Sequence, residues 1–151
     1  MSFPKIRSIA PLVFALAAAA LLAGWAPQAS ARGNFGVGLM FRDDLDFGVQ
    51  GRWTGRGGDR LSIVPQFGYF FDDEFFDINL DAHLALGGQE KTSFYALGGL
   101  NWLTDFDDSE VGANLGAGLA HPLSGSITGF LEVKYVISDA DGLALQAGIH
   151  L

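Results

Sequence analysis

The chain is 151 residues long with a formal net charge of −8, no cysteine, 21 glycines and 13 phenylalanines. The absence of cysteine excludes a disulfide framework, a thiolate metal site and a cysteine nucleophile. The acidic balance excludes a phosphate-binding, nucleic-acid footprint. A Gly-rich, aromatic-rich composition with 17% charged residues argues against both a helical bundle and a disordered chain.

The first element is an export signal. Lys5 and Arg7 precede an apolar stretch from Ile9 to Gly24, and Ala29-Ser30-Ala31 places small residues where a signal peptidase reads them, so residues 1–31 are expected to be removed. The apolar stretch is shorter than the roughly 20 residues of a spanning helix and contains Pro11. Residues 32–151 then form a single mature domain with a charge of −10, because Lys5 and Arg7 leave with the signal. No later apolar run is long enough for a membrane helix, so any further encounter with a membrane must use strands.

From Phe35 onward the apolar residues recur at every second position, the period of a strand. Strand one carries Phe35, Val37, Leu39 and Phe41 on one face, and strand two carries Phe47, Val49 and Trp53. Strand three carries Leu61, Ile63, Phe67, Tyr69 and Phe71, and strand four runs from Phe76 through Leu80 and Leu84 to Leu86. Strands five to eight follow as Phe94 to Trp102, Val111 to Leu119, Ile127 to Ile137 and Leu143 to Leu151. Most are about 8–12 residues long, close to the roughly 9–11 of a tilted membrane strand, and short links make neighbours antiparallel. The second face is mostly glycine and polar, as in Asp77, Asn79, Asp81 and His83 or Gly112, Asn114, Gly116 and Gly118. A ligand-binding soluble barrel would crowd its exterior with Lys, Glu and Thr. Glycine suits the narrow lumen of eight strands, so the apolar set is assigned to lipid. Aromatics gather toward the strand ends, with Phe41, Phe47, Tyr69, Phe71, Phe76 and Trp102 at one rim and Trp53 and Phe94 at the other. The expected fold is therefore all-β, an eight-stranded antiparallel transmembrane up-and-down β-barrel, in which closure satisfies every backbone polar group.

The links separate by charge. Links one, three, five and seven are read as 42–46, 72–74, 104–110 and 138–142, and they hold twelve of the 17 acidic residues. The opposite links, 54–60, 87–92 and 121–125, carry three basic and two acidic residues. With the N-terminus on the periplasmic side, the acidic rim faces outward.

The signal, the eight alternating segments, the polar Gly-rich face and the apolar last strand (Leu143, Leu145, Ala147, Ile149, Leu151) together resemble the small outer-membrane β-barrels of Gram-negative bacteria, of the OmpA/OmpX and opacity-like types. The resemblance implies a bacterial outer-membrane location and recognition by the barrel-assembly machinery. Two departures are the terminal Leu151, where that family usually ends in Phe, and outward links much shorter than those of family adhesins.

Candidate chemistry lies in two places. Lumen-facing Arg52, Asp81, His83, Glu132 and Lys134, with Arg42, Asp77 and His150 nearby, read as a salt-bridged plug, a charged pore gate or a proton path, since buried charges persist only when paired. Lys134 is in reach of either Asp81 or Glu132. The acidic rim, comprising Asp43, Asp44, Asp46, Asp72, Asp73, Glu74, Asp105, Asp107, Asp108, Asp139 and Asp141, is a candidate for divalent cations that bridge to anionic lipopolysaccharide, or else is simply solvated. No link matches the twelve-residue calcium loop. The functions weighed are a non-enzymatic envelope barrel with a plugged lumen, a narrow channel for small solutes or ions, and an enzyme acting on lipid A. The last is disfavoured because its one His/Ser pair, His121 and Ser124, falls in a periplasmic link. No cofactor is expected.

Overall fold

The structure, a computed structural model, describes residues 34–43, 45–139 and 141–151. The expected signal over 1–31 and the rim residue Asp44 lie outside the described residues. Eight strands follow in order: β1 (Asn34–Arg42), β2 (Asp46–Arg56), β3 (Leu61–Phe70), β4 (Phe76–Gln89), β5 (Thr92–Thr104), β6 (Ser109–Ser124), β7 (Ile127–Ile137) and β8 (Gly142–His150). Each pairs antiparallel with the next, and β8 returns to β1 to close a barrel. The seam runs from Gly36 opposite His150 to Arg42 opposite Ala144, and the Leu151 amide continues it by donating to the Phe35 carbonyl at 2.8 Å. Closure leaves no free edge over the common height of the strands, the condition for a sheet to sit in hydrocarbon.

The alternation read from the sequence sets which side of the wall each residue occupies. Leu39, Leu80, Leu115 and Val133 point outward with 54, 52, 65 and 44% of their surface exposed, whereas Asp81, Glu132 and Lys134 at neighbouring positions are 1% exposed or less. This is an inverted protein, apolar outside and charged inside, and its outer band matches a bilayer rather than water. At the acidic rim the aromatics of β2, β3 and β4 form a continuous belt. Ring centroids lie 5.9 Å apart for Phe47–Phe71, 5.6 Å for Tyr69–Phe71, 5.1 Å for Tyr69–Phe76 and 5.0 Å for Phe76–Phe106. Phe106 joins from the β5–β6 link with a φ of 75°, which swings its ring back over β4.

Two expectations need correction. The links are shorter than read: β2 continues to Arg56, β4 to Gln89 and β6 to Ser124, while Arg42, Asp46, Thr104, Ser109 and Glu110 belong to strands. Segments such as Gly87-Gly88 and His121-Pro122 lack apolar alternation, so they read as turns. Ladder pairing nevertheless persists through them, by way of register shifts between Ala85 and Gly87 and between Pro122 and Ser124. Gly87 supplies the required φ of 125°, and Pro122, with no N–H to donate, is accommodated beside a bulge. The lumen is also less uniformly polar than expected. Met40, Leu45, Phe70 and Leu103 form a buried apolar cluster against Phe75 at the acidic-rim end, because the inward positions there carry apolar side chains, including Leu45 from an otherwise acidic link.

Candidate functional site

Inside the wall, the inward positions of seven strands meet in one hydrogen-bonded column. Nearest the acidic rim, below the apolar cluster, Asp77 accepts from Asn79 Nδ2 at 2.7 Å and from Asn101 Nδ2 at 2.5 Å. Asn79 Oδ1 in turn accepts from Asn101 at 3.0 Å and Asn114 at 2.7 Å. Asn114 also donates to Asp81 Oδ1 at 2.7 Å, and Asp81 Oδ2 accepts from Lys134 Nζ at 3.0 Å and Gln66 Nε2 at 2.9 Å. Farther along, Arg52 forms a two-pronged pair with Glu132, Nη1 to Oε1 at 2.5 Å and Nη2 to Oε2 at 2.7 Å. Its remaining donor capacity goes to side-chain carbonyls: Gln146 at 2.8 Å, Gln50 at 3.2 Å and Gln66 at 3.4 Å. The guanidinium lies 3.9 Å from the Phe130 ring centroid, where ring quadrupole and cation attract. Tyr95 donates to Glu132 Oε1 at 2.7 Å, and His83 stacks on Tyr95 at 4.6 Å with its Nε2 3.7 Å from the same carboxylate oxygen.

The five lumen residues singled out from the sequence thus share one column. Lys134, open to two partners on spacing alone, pairs with Asp81, and Glu132 pairs with Arg52. A bidentate Arg–carboxylate fork is among the strongest polar contacts a protein makes. Buried as it is, its remaining lone pairs and protons still need partners, and the glutamines, asparagines and Tyr95 supply them. These amides were missed by sequence reasoning. Their signal, Gln or Asn recurring at inward positions of β2, β3, β4, β5, β6 and β8, was present but read only as a polar face. His150 sits beyond the column, 3.5 Å from Thr54 Oγ1 and tilted against the Phe130 ring with centroids 4.9 Å apart.

The rim carboxylates do different work. Asp105 Oδ1 accepts the amides of Asp107 at 3.0 Å and Asp108 at 2.6 Å, Asp141 Oδ1 accepts that of Ser138 at 2.8 Å, and Asp43 Oδ1 accepts that of Leu143 at 3.1 Å. Asp105 and Asp141 thus fold their own turns, while Asp43 ties the β1–β2 link to β8. Asp72, Asp73, Glu74, Asp107, Asp108 and Asp139 are exposed, and Asp46 lies in β2 rather than in a link. Among the described residues no three acidic or histidine side chains converge on a point that could hold a metal ion. At the opposite rim His121 Nδ1 is hydrogen-bonded to Thr92 Oγ1 at 2.8 Å, which ties it to β5.

No protein-family model and no curated protein sequence matches the chain. Solved structures do resemble it. The N-terminal β-barrel domain of Pseudomonas aeruginosa OprF superposes with a TM-score of 0.63 at 15% identity, covering 79% of this chain and 98% of that one. A de novo designed transmembrane β-barrel gives a TM-score of 0.59 at 13% identity over 79% of this chain and 94% of that one. A second design, TMB2.3, gives 0.56 at 18% identity over 82% and 96%. At these identities the likeness is one of fold, and the fold is the closed, all-antiparallel, eight-stranded transmembrane β-barrel.

Proposed function

We propose that this protein is a non-enzymatic outer-membrane barrel that supports envelope integrity or surface interaction, with its lumen closed to ions. The observation that carries the reading is the continuous stack across the lumen, from the Met40–Phe70–Leu103 cluster through the Asp81–Lys134 and Arg52–Glu132 pairs. An eight-stranded barrel is just wide enough to be filled by side chains, and here they are mutually hydrogen-bonded rather than aimed at a passing solute. The rigid, charge-satisfied core suits a wall element whose working surfaces are its lipid band and its outward rim. On that rim the exposed Asp72, Asp73, Asp107 and Asp108 would share divalent cations with lipopolysaccharide phosphates one carboxylate at a time. The apolar last strand would present the chain to the barrel-assembly machinery.

The test is conductance of the refolded barrel in planar lipid bilayers, paired with a deletion strain scored for detergent sensitivity and envelope stress. A closed lumen gives no stable conductance steps, and the deletion raises detergent sensitivity. Regular ohmic steps from the wild-type protein would replace this reading with that of a narrow channel.

A further inference from the structure

The column does not fill the barrel to its second mouth. Beyond Tyr95 and His83 lies a half-open cavity of about 340 Å³, at the rim opposite the acidic links. Arg56 and Arg60 stand at its lip with Asp59 between them in the lining, His83, Tyr95 and His150 form its inner end, and Ser62 contributes a hydroxyl. Such a space at the end of a hydrogen-bonded column calls for explanation, and the wall shows how it is kept. Gly118 lies under the Tyr95 ring, where an added Cβ would come within 2.6 Å of the Tyr95 hydroxyl oxygen, and Gly36 lies under the His150 ring, where a Cβ would meet Cδ2 at 2.6 Å. Glycine at both places lets the rings lie flat against the wall instead of projecting across the opening.

We infer that this vestibule binds a small, hydroxyl-rich anion of monosaccharide size, a sugar acid or a sugar phosphate. Its volume is at the lower end of the roughly 300–1,000 Å³ typical of ligand pockets, enough for one sugar-sized body and not for a chain. Two guanidiniums at the lip provide the planar forks that carboxylate and phosphate accept bidentately, and with a single carboxylate, Asp59, on the lining the mouth keeps a positive excess in an otherwise acidic protein. Farther in, imidazole nitrogens and hydroxyls offer donors and acceptors suited to sugar hydroxyls. His83 Nε2 is buried without a hydrogen bond and lies 3.7 Å from Glu132 Oε1, so the His83 ring closes the inner end of the vestibule while that nitrogen faces the column. The inference rests on the closed-lumen reading, since a dead end retains a solute whereas an entrance passes it on.

The experiment is an amide-shift titration of the ¹⁵N-labelled barrel in lipid nanodiscs with glucuronate, glucose 6-phosphate, glucose and inorganic phosphate. Saturable shifts at Ser62, Tyr95 and His150 are expected with the two acidic sugars, and binding of glucose or phosphate alone at least tenfold weaker. A response to only one acidic sugar assigns the site to carboxylate or to phosphate. The double variant Arg56→Gln/Arg60→Gln should weaken binding at least tenfold. Ala120→Phe, which fills the lining without altering charge, should abolish it and keeps the test in force if the arginine variant does not assemble. Absence of saturation with both acidic sugars, equal binding of glucose, or binding unchanged in the variants would overturn the site. Conductance in bilayers together with saturable binding would instead overturn the closed lumen alone.

Discussion

Removing Arg52 is the most informative single perturbation of the lumen. Its guanidinium forms both prongs of the Glu132 pair and also satisfies the side-chain carbonyls of Gln146, Gln50 and Gln66. Arg52→Met would leave Glu132, 0% exposed, with only the Tyr95 hydroxyl and the more distant His83. Stranding one member of a buried ion pair costs about 3–5 kcal/mol, and the loss at Arg52 should fall in the upper half of that range because the Gln146 and Gln50 carbonyls lose their donor with it, while Gln66 keeps Lys134 Nζ at 3.4 Å. Lys134→Met should fall at the lower end, since Asp81 would keep the amides of Gln66 and Asn114. Arg52→Met/Glu132→Gln removes both charges and should cost less than the two single changes added together, with a coupling of about 2 kcal/mol or more. Urea-dependent folding into lipid vesicles, read by heat-modified gel mobility, measures all four forms. Additivity within about 0.5 kcal/mol would mean that the pair is not held against water, and the plug would fall with it.

Other outcomes follow from the same geometry. Leu80→Arg, in the middle of the lipid band, should cost about 2–4 kcal/mol, while Gln89→Arg on the extended β4 hairpin should cost less than about 1 kcal/mol, both by the vesicle-folding assay. Gly116→Ala should destabilise the barrel, because its Cβ would run into the Val133 carbonyl and lie 2.7 Å from Lys134 Cα, whereas Gly51→Ala meets nothing closer than the Phe35 ring at 3.8 Å and should be tolerated in a melting comparison. Ca²⁺ should raise the melting temperature in lipopolysaccharide-containing membranes more than monovalent salt of equal ionic strength, and Asp72→Asn/Asp73→Asn/Asp107→Asn/Asp108→Asn should remove that increment. Equal stabilisation by both salts would leave the rim merely solvated.

The barrel was legible because lipid imposes a one-residue rule on its wall. Each outward position between the rims must be apolar, so Leu39, Leu80, Leu115 and Val133 mark their strands without reference to any partner. Where that rule lapses, at Gly55-Arg56, Gly87-Gly88 and His121-Pro122, alternation stops but the backbone ladder does not, and strands were read as links. The inward apolar cluster was missed for a different reason: parity puts Phe70 opposite Tyr69 and Phe71, but its partners Met40, Leu45 and Leu103 come from other strands and a link, and no spacing within one strand brings them together.

The lumen was legible in position and not in pairing. Parity placed Arg52, Asp81, His83, Glu132 and Lys134 on the inner face, but which cation met which carboxylate depends on the stagger between strands, and spacing within one strand cannot report it. Glu132 and Lys134 are neighbours on β7 and yet take different partners, from β2 and β4. Net charge concealed the interior as well. Arg42, Arg52 and Lys134 stand against Asp77, Asp81 and Glu132 among the buried charged residues, three of each sign, the balance that buried charge demands. The −10 of residues 32–151 is therefore carried outside the lumen, chiefly by the acidic links. The charge that dominates the composition belongs to the rim, while the interior balances its charge, partly as the Arg52–Glu132 and Lys134–Asp81 pairs, in a way the total cannot display.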